Sequence, residues 1–331
     1  MNNTGWVVEV PSPGGADALR MLERAVPKPG PTEILIEVHA AGINRGDIKQ
    51  REGDFPKLPS DATNVLGLEV AGTVLACGVN VHGFAIGDRV CALLVGGGYA
   101  QYCVAPAGQC LHIPPEMEFT AAAAIPETFA TVWLTLFEQA RLQPGETVLI
   151  HGGASGIGTT AIQLASRLGS QVLVTAGTPE KCAYCERLGA QKAINYRESD
   201  FVDAVMKFTN GAGVDVVLDM IGGPYASRNL QLLKAGGRLA YVAGDGGGEA
   251  TFNIREIMMR RLSVTGATLR HRSVEEKSNL LQTLQKKVWP LIASGQVTPV
   301  VGKIFPFDQV ADAHRCLEEG HVVGKVILKM I

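Results

Sequence analysis

The chain has 331 residues, 46% hydrophobic and 19% charged, with a formal net charge of -2; that suffices for two domains with full cores and excludes a disordered chain. The near-neutral balance argues against nucleic acid as the main partner. No stretch approaches 18 consecutive apolar residues, and MNNTGWVVEV lacks the basic and apolar regions of a leader, so neither a membrane span nor secretion is expected. Seven scattered cysteines, an odd number, point to reduced thiols and a cytoplasmic setting.

The first 115 residues read mostly as β-strands: 34–44, 69–78, 88–95 and 99–106 are rich in Val, Ile, Ala and Cys. Gly83, Gly87 and Gly96–Gly98 mark turns between them, predicting an antiparallel, partly closed sheet. The period changes near residue 119, where Phe119 to Gln139 reads as helical. Strands and helices then alternate: strand 148–151 leads to helix 156–168, strand 171–177 to helix 179–188, and strand 193–196 to helix 199–209. Strand 214–220, helix 225–233 and strand 237–244 complete a doubly wound parallel sheet. The basic run Met259-Arg260-Arg261 reads as a solvated turn. Strand 262–268, a long helix over 273–294 and a tail of strand patterns around helix 308–319 follow. The tail is expected to rejoin the N-terminal sheet. That gives a β-rich domain of residues 1–124 and 298–331, split by a nucleotide-binding domain of residues 125–297.

The chemistry centres on VLIHGGASGIGTTAIQLA, residues 148–165. Its glycines miss the strict G-x-G-x-x-G spacing, but a strand feeds a helix across a turn of small residues. Ile157, Ala161, Leu164, Ala165 and Leu168 form one stripe suited to packing on a sheet, which leaves the N–H groups of Ser155 to Gly158 for a pyrophosphate. The second strand ends Thr175-Ala176-Gly177-Thr178-Pro179-Glu180-Lys181, with small residues where NAD-preferring folds carry an acid. Thr178 caps a helix, Pro179 starts it, and Lys181 places an ammonium in its first turn, which suits an adenosine 2′-phosphate. NADPH is therefore the expected cofactor, with Glu180 as the acidic residue that would reverse the preference. Cys182 and Cys185 form C-x-x-C inside a helical pattern, either as a redox pair or as neighbours on two turns.

Segments GINRGD (42–47), VLGLEVAGTV (65–74), GDRV (87–90), GGGYAQY (96–102), AAAIPETFAT (122–131) and GKVIL (324–328) resemble the medium-chain dehydrogenase/reductase superfamily, in its zinc-free, crystallin-type quinone oxidoreductase branch. HGGASGIG and NYRESDF fit the same branch. The resemblance implies an α/β protein, a Rossmann domain inserted into a β-rich GroES-like catalytic domain. It implies no metal: zinc members carry a cysteine where this chain has Asn44 and a histidine where it has Leu68, and no cysteine lies between Cys110 and Cys182. Without a Lewis acid, alcohol oxidation is disfavoured, whereas hydride transfer to a quinone or activated enone needs no metal.

By the same resemblance Gly153, Ala154, Ser155, Gly156, Ile157 and Gly158 bind pyrophosphate, while Gly177, Thr178, Lys181 and Tyr196 surround the 2′-phosphate. Asn44 and Thr131 line the nicotinamide, Ala243, Gly244, Ala267 and Leu269 match backbone beside it, and Lys325 matches a nearby basic residue. Near relatives carry a tyrosine where this chain has Phe55, which can stack on a planar acceptor in the interdomain cleft but cannot donate a proton. Asn44, Phe55 and Thr131 are thus the expected catalytic positions, acting by orientation and water exclusion. Asp47 and Glu69 are expected to be structural. Two other readings remain open: reduction of enone or enoyl double bonds, and non-catalytic NADPH or RNA binding. A homodimer is expected, with Arg261 to Ala267 either an edge or an internal strand.

Overall fold

In the computed structural model, which describes residues 3–55 and 64–330, the first strands are β1 (Thr4–Glu9) and β2 (Arg20–Ala25), an antiparallel pair. They are followed by β3 (Glu33–Ile43), α1 (Arg45–Glu52), β4 (Glu69–Cys77), β5 (Arg89–Leu93), β6 (Tyr102–Pro106), β7 (Cys110–His112), α2 (Phe119–Ala122) and α3 (Pro126–Val132). After α3 a π-helical segment covers Trp133–Gln139. Next come β8 (Thr147–Ile150), α4 (Gly156–Arg167), β9 (Gln171–Ala176), α5 (Pro179–Leu188), β10 (Lys192–Asn195), α6 (Phe201–Phe208), β11 (Val214–Asp219), α7 (Ala226–Leu232), β12 (Leu233–Tyr241), α8 (Ile254–Arg260) and β13 (Ser263–Gly266). The chain closes with α9 (Val274–Lys287), α10 (Trp289–Ala293), β14 (Val301–Pro306), α11 (Val310–Glu319) and β15 (Lys325–Lys329).

The chain falls into two units, Met1–Ala130 with Leu269–Ile331, and Thr131–Thr268. In the first, seven strands form one sheet in the order β14-β15-β3-β4-β5-β7, with β6 also on β3. The β3 sequence EILIEVHAAGI is apolar at eight of its eleven positions, all of them buried, and polar only at the partly exposed Glu33, Glu37 and His39, so the strand can sit at the centre. Register shifts at Leu35/Ile36 and Val38/Ala40, opposite Gly72 of β4, curl the sheet. Gly72 has no space for a Cβ, which would fall 2.8 Å from Ile36 Cγ2. Val8, Ile34, Ile36, Val70, Val90 and Tyr99 fill the core beneath.

The second unit holds six parallel strands in the order β10-β9-β8-β11-β12-β13. This is the Rossmann arrangement: the chain winds outward from β8 through β9 to β10, returns to the other side of β8, and runs on to β13. TVLI of β8 is wholly buried, as a strand covered by helices on both faces must be. The α/β class, a parallel Rossmann sheet with a β-rich GroES-like domain, is as the sequence implied.

Several elements differ from expectation. The helix expected over 273–294 breaks at Val288, because Pro290 lacks an N–H and collides with the preceding turn; α10 restarts with that proline near its beginning. Residues 269–297, assigned by sequence to the nucleotide domain, belong to the β-rich unit, where α9 covers Gly108 with Ser278. Met259 and Arg260 are not a turn but the end of α8, closed by Arg261 at φ 54°. By length and composition 119–139 is long and apolar enough to cross a membrane, but it breaks into α2, α3 and the π segment, and most of it is buried within this protein.

Candidate functional site

The glycine turn sits where the winding of the parallel sheet reverses, the usual ligand crevice of such sheets. Ser155 caps α4, its Oγ accepting the Gly158 N–H at 3.0 Å, while the Ser155 N–H closes the turn onto Gly152 O at 2.9 Å. The N–H groups of Gly156 and Ile157 lie in the first helical turn, where no carbonyl precedes them. A Cβ on Gly158 would fall 2.6 Å from the Gly153 backbone, and one on Gly153 would fall 2.8 Å from Val174 Cβ. Close approach of α4 to the strands therefore demands both glycines.

A chain of buried polar groups that the sequence reading did not single out braces this turn. His151 at the end of β8 lies 3.0 Å from Thr175 Oγ1 and 2.8 Å from Asn229 Oδ1, and Asn229 Nδ2 donates to Asp219 Oδ2 at 2.9 Å. Asp219 Oδ1 accepts the Ile221 N–H at 2.6 Å. Burial pulls the His151 imidazole down to about 4, so it is neutral, and lifts the Asp219 carboxyl to about 6. One network thus fixes the ends of β8, β9 and β11. Nothing in local sequence spacing could reveal it, since its members are up to 78 residues apart.

At the end of β9, Thr178 caps α5, accepting the Lys181 N–H at 3.3 Å. Glu180 is drawn back onto its own N–H and the Thr178 hydroxyl, which lowers its carboxyl. Tyr196 OH lies 3.0 Å from where a Gly177 Cβ would stand, so Gly177, Thr178, Lys181 and Tyr196 are brought together. Sequence reasoning missed Arg197, whose guanidinium lies 5.9 Å from the Tyr196 ring. Partial burial and the Arg197 charge both lower the Lys181 ammonium, as expected where two cations share a patch. Beside them opens a recess of 340 Å³ lined by Tyr196, Arg197, Asp200, Phe201, Tyr225 and Arg228.

Elsewhere in this unit, the Thr131 carbonyl accepts the Thr135 hydroxyl at 2.8 Å. Gly244 underlies the loop after β12, where a Cβ on Gly222 would stand 2.9 Å from its Cα, and Ala243 precedes it. Ala267 donates to Tyr241 O at 3.0 Å, just past β13.

In the β-rich unit Lys325 Nζ makes three bonds, to Ile43 O at 2.7 Å, Asn44 Oδ1 at 2.6 Å and Glu69 Oε1 at 2.7 Å. Asn44 Nδ2 donates to Glu69 Oε1 at 3.0 Å, and Glu69 Oε2 accepts the Glu127 N–H at 2.9 Å. Glu69 is wholly buried, and a Cβ on Gly42 would be 2.6 Å from Ala123 O, so the cluster is tightly walled. Asp47 accepts the N–H groups of Asn44 and Gly67 and the Tyr99 hydroxyl, at 2.8, 3.1 and 3.1 Å. Burial outweighs these donors and lifts its carboxyl to about 6. Phe55 lies beneath the Arg270 guanidinium, 4.7 Å from its ring centroid, with the His271 ring at 6.2 Å. Leu269 is buried just before them. Among the described residues no group of three or more His, Cys, Asp or Glu is placed to hold a metal ion.

Residues 30–115 match the family described as alcohol dehydrogenase GroES-like domain, and residues 156–286 match zinc-binding dehydrogenase. The chain is 33% identical to the quinone oxidoreductase of Homo sapiens over 318 residues, 95% of this chain and 94% of the relative. It matches the structure of Escherichia coli quinone oxidoreductase complexed with NADPH at a TM-score of 0.89 and 30% identity, covering 98% and 99% of the two chains. CurK enoyl reductase matches at a TM-score of 0.88 and 28% identity over 100% of both chains. The protein belongs to the quinone oxidoreductase-like branch of the medium-chain dehydrogenase/reductase superfamily, the NAD(P)-dependent oxidoreductases.

Proposed function

We propose that the protein is a zinc-independent NADPH:quinone reductase, similar in its motifs to the tumour-suppressor-inducible quinone oxidoreductase. The observation that carries the cofactor choice is the cationic patch of Lys181 and Arg197 against Gly177 and Tyr196. The residues fit the dinucleotide: Gly153, Ala154 and Ser155 to Gly158 form a glycine-rich turn that leaves first-turn N–H groups for the pyrophosphate. The 2′-phosphate suits Gly177, Thr178, Lys181, Arg197 and Tyr196. Asn44 and Lys325 hold one another in the β-rich unit, where they and Leu269 are assigned to the nicotinamide by the family resemblance, as are Thr131, Ala243, Gly244 and Ala267 in the Rossmann unit. Asn44 and Leu68 carry neither thiolate nor imidazole, which supports metal-free chemistry.

Bound NADPH supplies hydride; the chain binds it, orients a flat acceptor on Phe55 and keeps water out. A homodimer in the cytoplasm is part of the proposal. Support for the dimer comes from β13, a sheet edge with Val264 exposed, beside Ile254, Met258 and Met259 on α8. The likeness to CurK enoyl reductase favours one second reading, reduction of an enone or enoyl double bond on the same site.

Fluorescence titration with NADPH and NADH, followed by addition of 1,2-naphthoquinone, tests the proposal. Lys181→Ala and Arg197→Ala should each weaken NADPH by about 1.5–3 kcal/mol, with NADH nearly unaffected. Equal loss for both cofactors refutes the phosphate assignment, and absence of NADPH oxidation with several ortho- and para-quinones refutes quinone reduction.

A further inference from the structure

Four polar side chains at the strand ends of the second unit, Thr175, His151, Asn229 and Asp219, are 0–2% exposed and bonded in series. The series ends on a carboxylate, and that end decides how every other member is oriented. Asp219 meets only donors: the Ile221 N–H at 2.6 Å, the Gly222 N–H at 3.3 Å and the Asn229 amide at 2.9 Å. Above pH of about 6 the carboxyl holds no proton, so Asn229 must turn its NH2 group toward it and its Oδ1 toward His151. An amide oxygen only accepts, so the His151 proton sits on Nε2, 2.8 Å away. The imidazole is neutral, which leaves Nδ1 bare to accept the Thr175 hydroxyl at 3.0 Å. The Thr175 oxygen then offers only lone pairs, and the Gly152 N–H lies 3.4 Å from it.

Every bond in the series therefore points the same way, from the glycine turn toward Asp219. At the near end the backbone agrees, since the Gly153 N–H donates to Thr175 O at 2.8 Å. At the far end Asp219 fixes Ile221 and Gly222, whose stretch is zipped to the loop after β12. Asp245 N–H reaches Met220 O at 3.0 Å, Gly246 N–H reaches Ile221 O at 2.8 Å, and Gly223 N–H reaches Gly247 O at 2.9 Å. The zip is close: a Cβ on Gly222 would stand 2.4 Å from Gly247 O. Apolar residues of the same volume would hold the strands together as well, whereas a fully satisfied polar chain fixes one arrangement.

We infer that Thr175, His151, Asn229 and Asp219 are positioning residues for the dinucleotide, their one-way hydrogen-bond chain holding the glycine turn and the loops after β11 and β12 at the spacing one cofactor spans. The inference rests on the dinucleotide reading above. The four side chains are buried, so they act through the backbone of Gly152, Ile221 and Gly222. That backbone serves the part common to both cofactors. Unlike Lys181, the chain should therefore not distinguish NADPH from NADH.

The test reads the His151 tautomer and cofactor affinity together. In cofactor-free protein carrying 15N-labelled histidine, at a pH well above 6, the His151 resonances should report a proton on Nε2; their loss in His151→Gln identifies them. Asp219→Asn sets two NH2 groups against each other, so Asn229 turns over and the His151 proton should move to Nδ1. Kd for NADPH and for NADH should both rise about tenfold or more. Thr175→Val keeps the side-chain shape and deletes the hydroxyl; it should weaken both cofactors several-fold with the proton still on Nε2. The exchanged pair, Asp219→Asn with Asn229→Asp, gives every donor an acceptor again. The new amide still accepts the Ile221 N–H and donates to the new carboxylate, which accepts from His151. It should return the proton to Nε2 and bring both Kd values to within about threefold of wild type. A wild-type His151 protonated on Nδ1 overturns the chain without any variant. So does wild-type affinity in Asp219→Asn or Thr175→Val, a loss confined to NADPH, or an exchanged pair that binds no better than Asp219→Asn. A wild type that binds neither cofactor refutes the dinucleotide reading itself, whichever tautomer His151 shows.

Discussion

Lys325→Met tests the buried cluster that fixes Asn44. The lysine's three donors meet three acceptors, Ile43 O, Asn44 Oδ1 and Glu69 Oε1, at 2.6–2.7 Å. Methionine fills similar volume but leaves two neutral acceptors and a wholly buried carboxylate, which retains only the N–H donors of Asn44 and Glu127. Removing one member of a buried pair costs about 3–5 kcal/mol, mostly for the charge left behind. The double variant Lys325→Met, Glu69→Gln removes both charges and should recover most of that loss. Urea unfolding can be followed by tryptophan fluorescence, to which Trp6 and Trp289 contribute from the same unit as the cluster. A single-variant cost below about 1 kcal/mol, or a double variant worse than the sum of the singles, would sink the reasoning.

Two further outcomes follow from the geometry. Gly158→Ala places a methyl group 2.6 Å from the Gly153 backbone, which has no rotamer by which to yield, and should cost about 1–3 kcal/mol along with NADPH affinity, whereas Gly15→Ala, into open space, should stay within about 0.5 kcal/mol on urea unfolding. Because the folded Asp47 carboxyl sits near 6, above its ordinary 3.8, its stabilising contribution is complete below pH 3.8 and fades as pH rises through 6. Wild type should therefore lose about 2–3 kcal/mol relative to Asp47→Asn between pH 4 and 6, and parallel pH–stability curves for the two proteins would contradict it.

Much of the molecule was legible in the order of its residues. The β/α alternation from residue 148 onward follows from apolar strands four to nine residues long and helices opened by Ser155, Thr178 and Asp200, each of which caps a helix in the structure. The glycine turn was equally plain, since a strand, small residues and an amphipathic helix in succession admit few other structures. The β1–β2 pair is not legible in the sequence, because RMLERA alternates too weakly: β2 is largely exposed. The long helix was overextended because one proline within an otherwise helical pattern is a local signal, outvoted by its neighbours until backbone sterics decide.

The site divides in the same way. Gly153, Ser155, Gly158, Thr178 and Lys181 were found because their task is set by backbone conformation and by neighbours within a few positions. Arg197 joined Lys181 only because β10 pairs with β9, and parallel pairing is a tertiary event. Glu69 and Lys325 come from β4 and β15, and each alone looks like an ordinary surface charge. Sequence by itself determined where the chain can turn, cap and bury apolar faces, since those depend on local sterics and periodicity. Only the folded chain decided which charges would be buried together, because desolvation and Coulomb energy depend on distances that sequence separation does not specify.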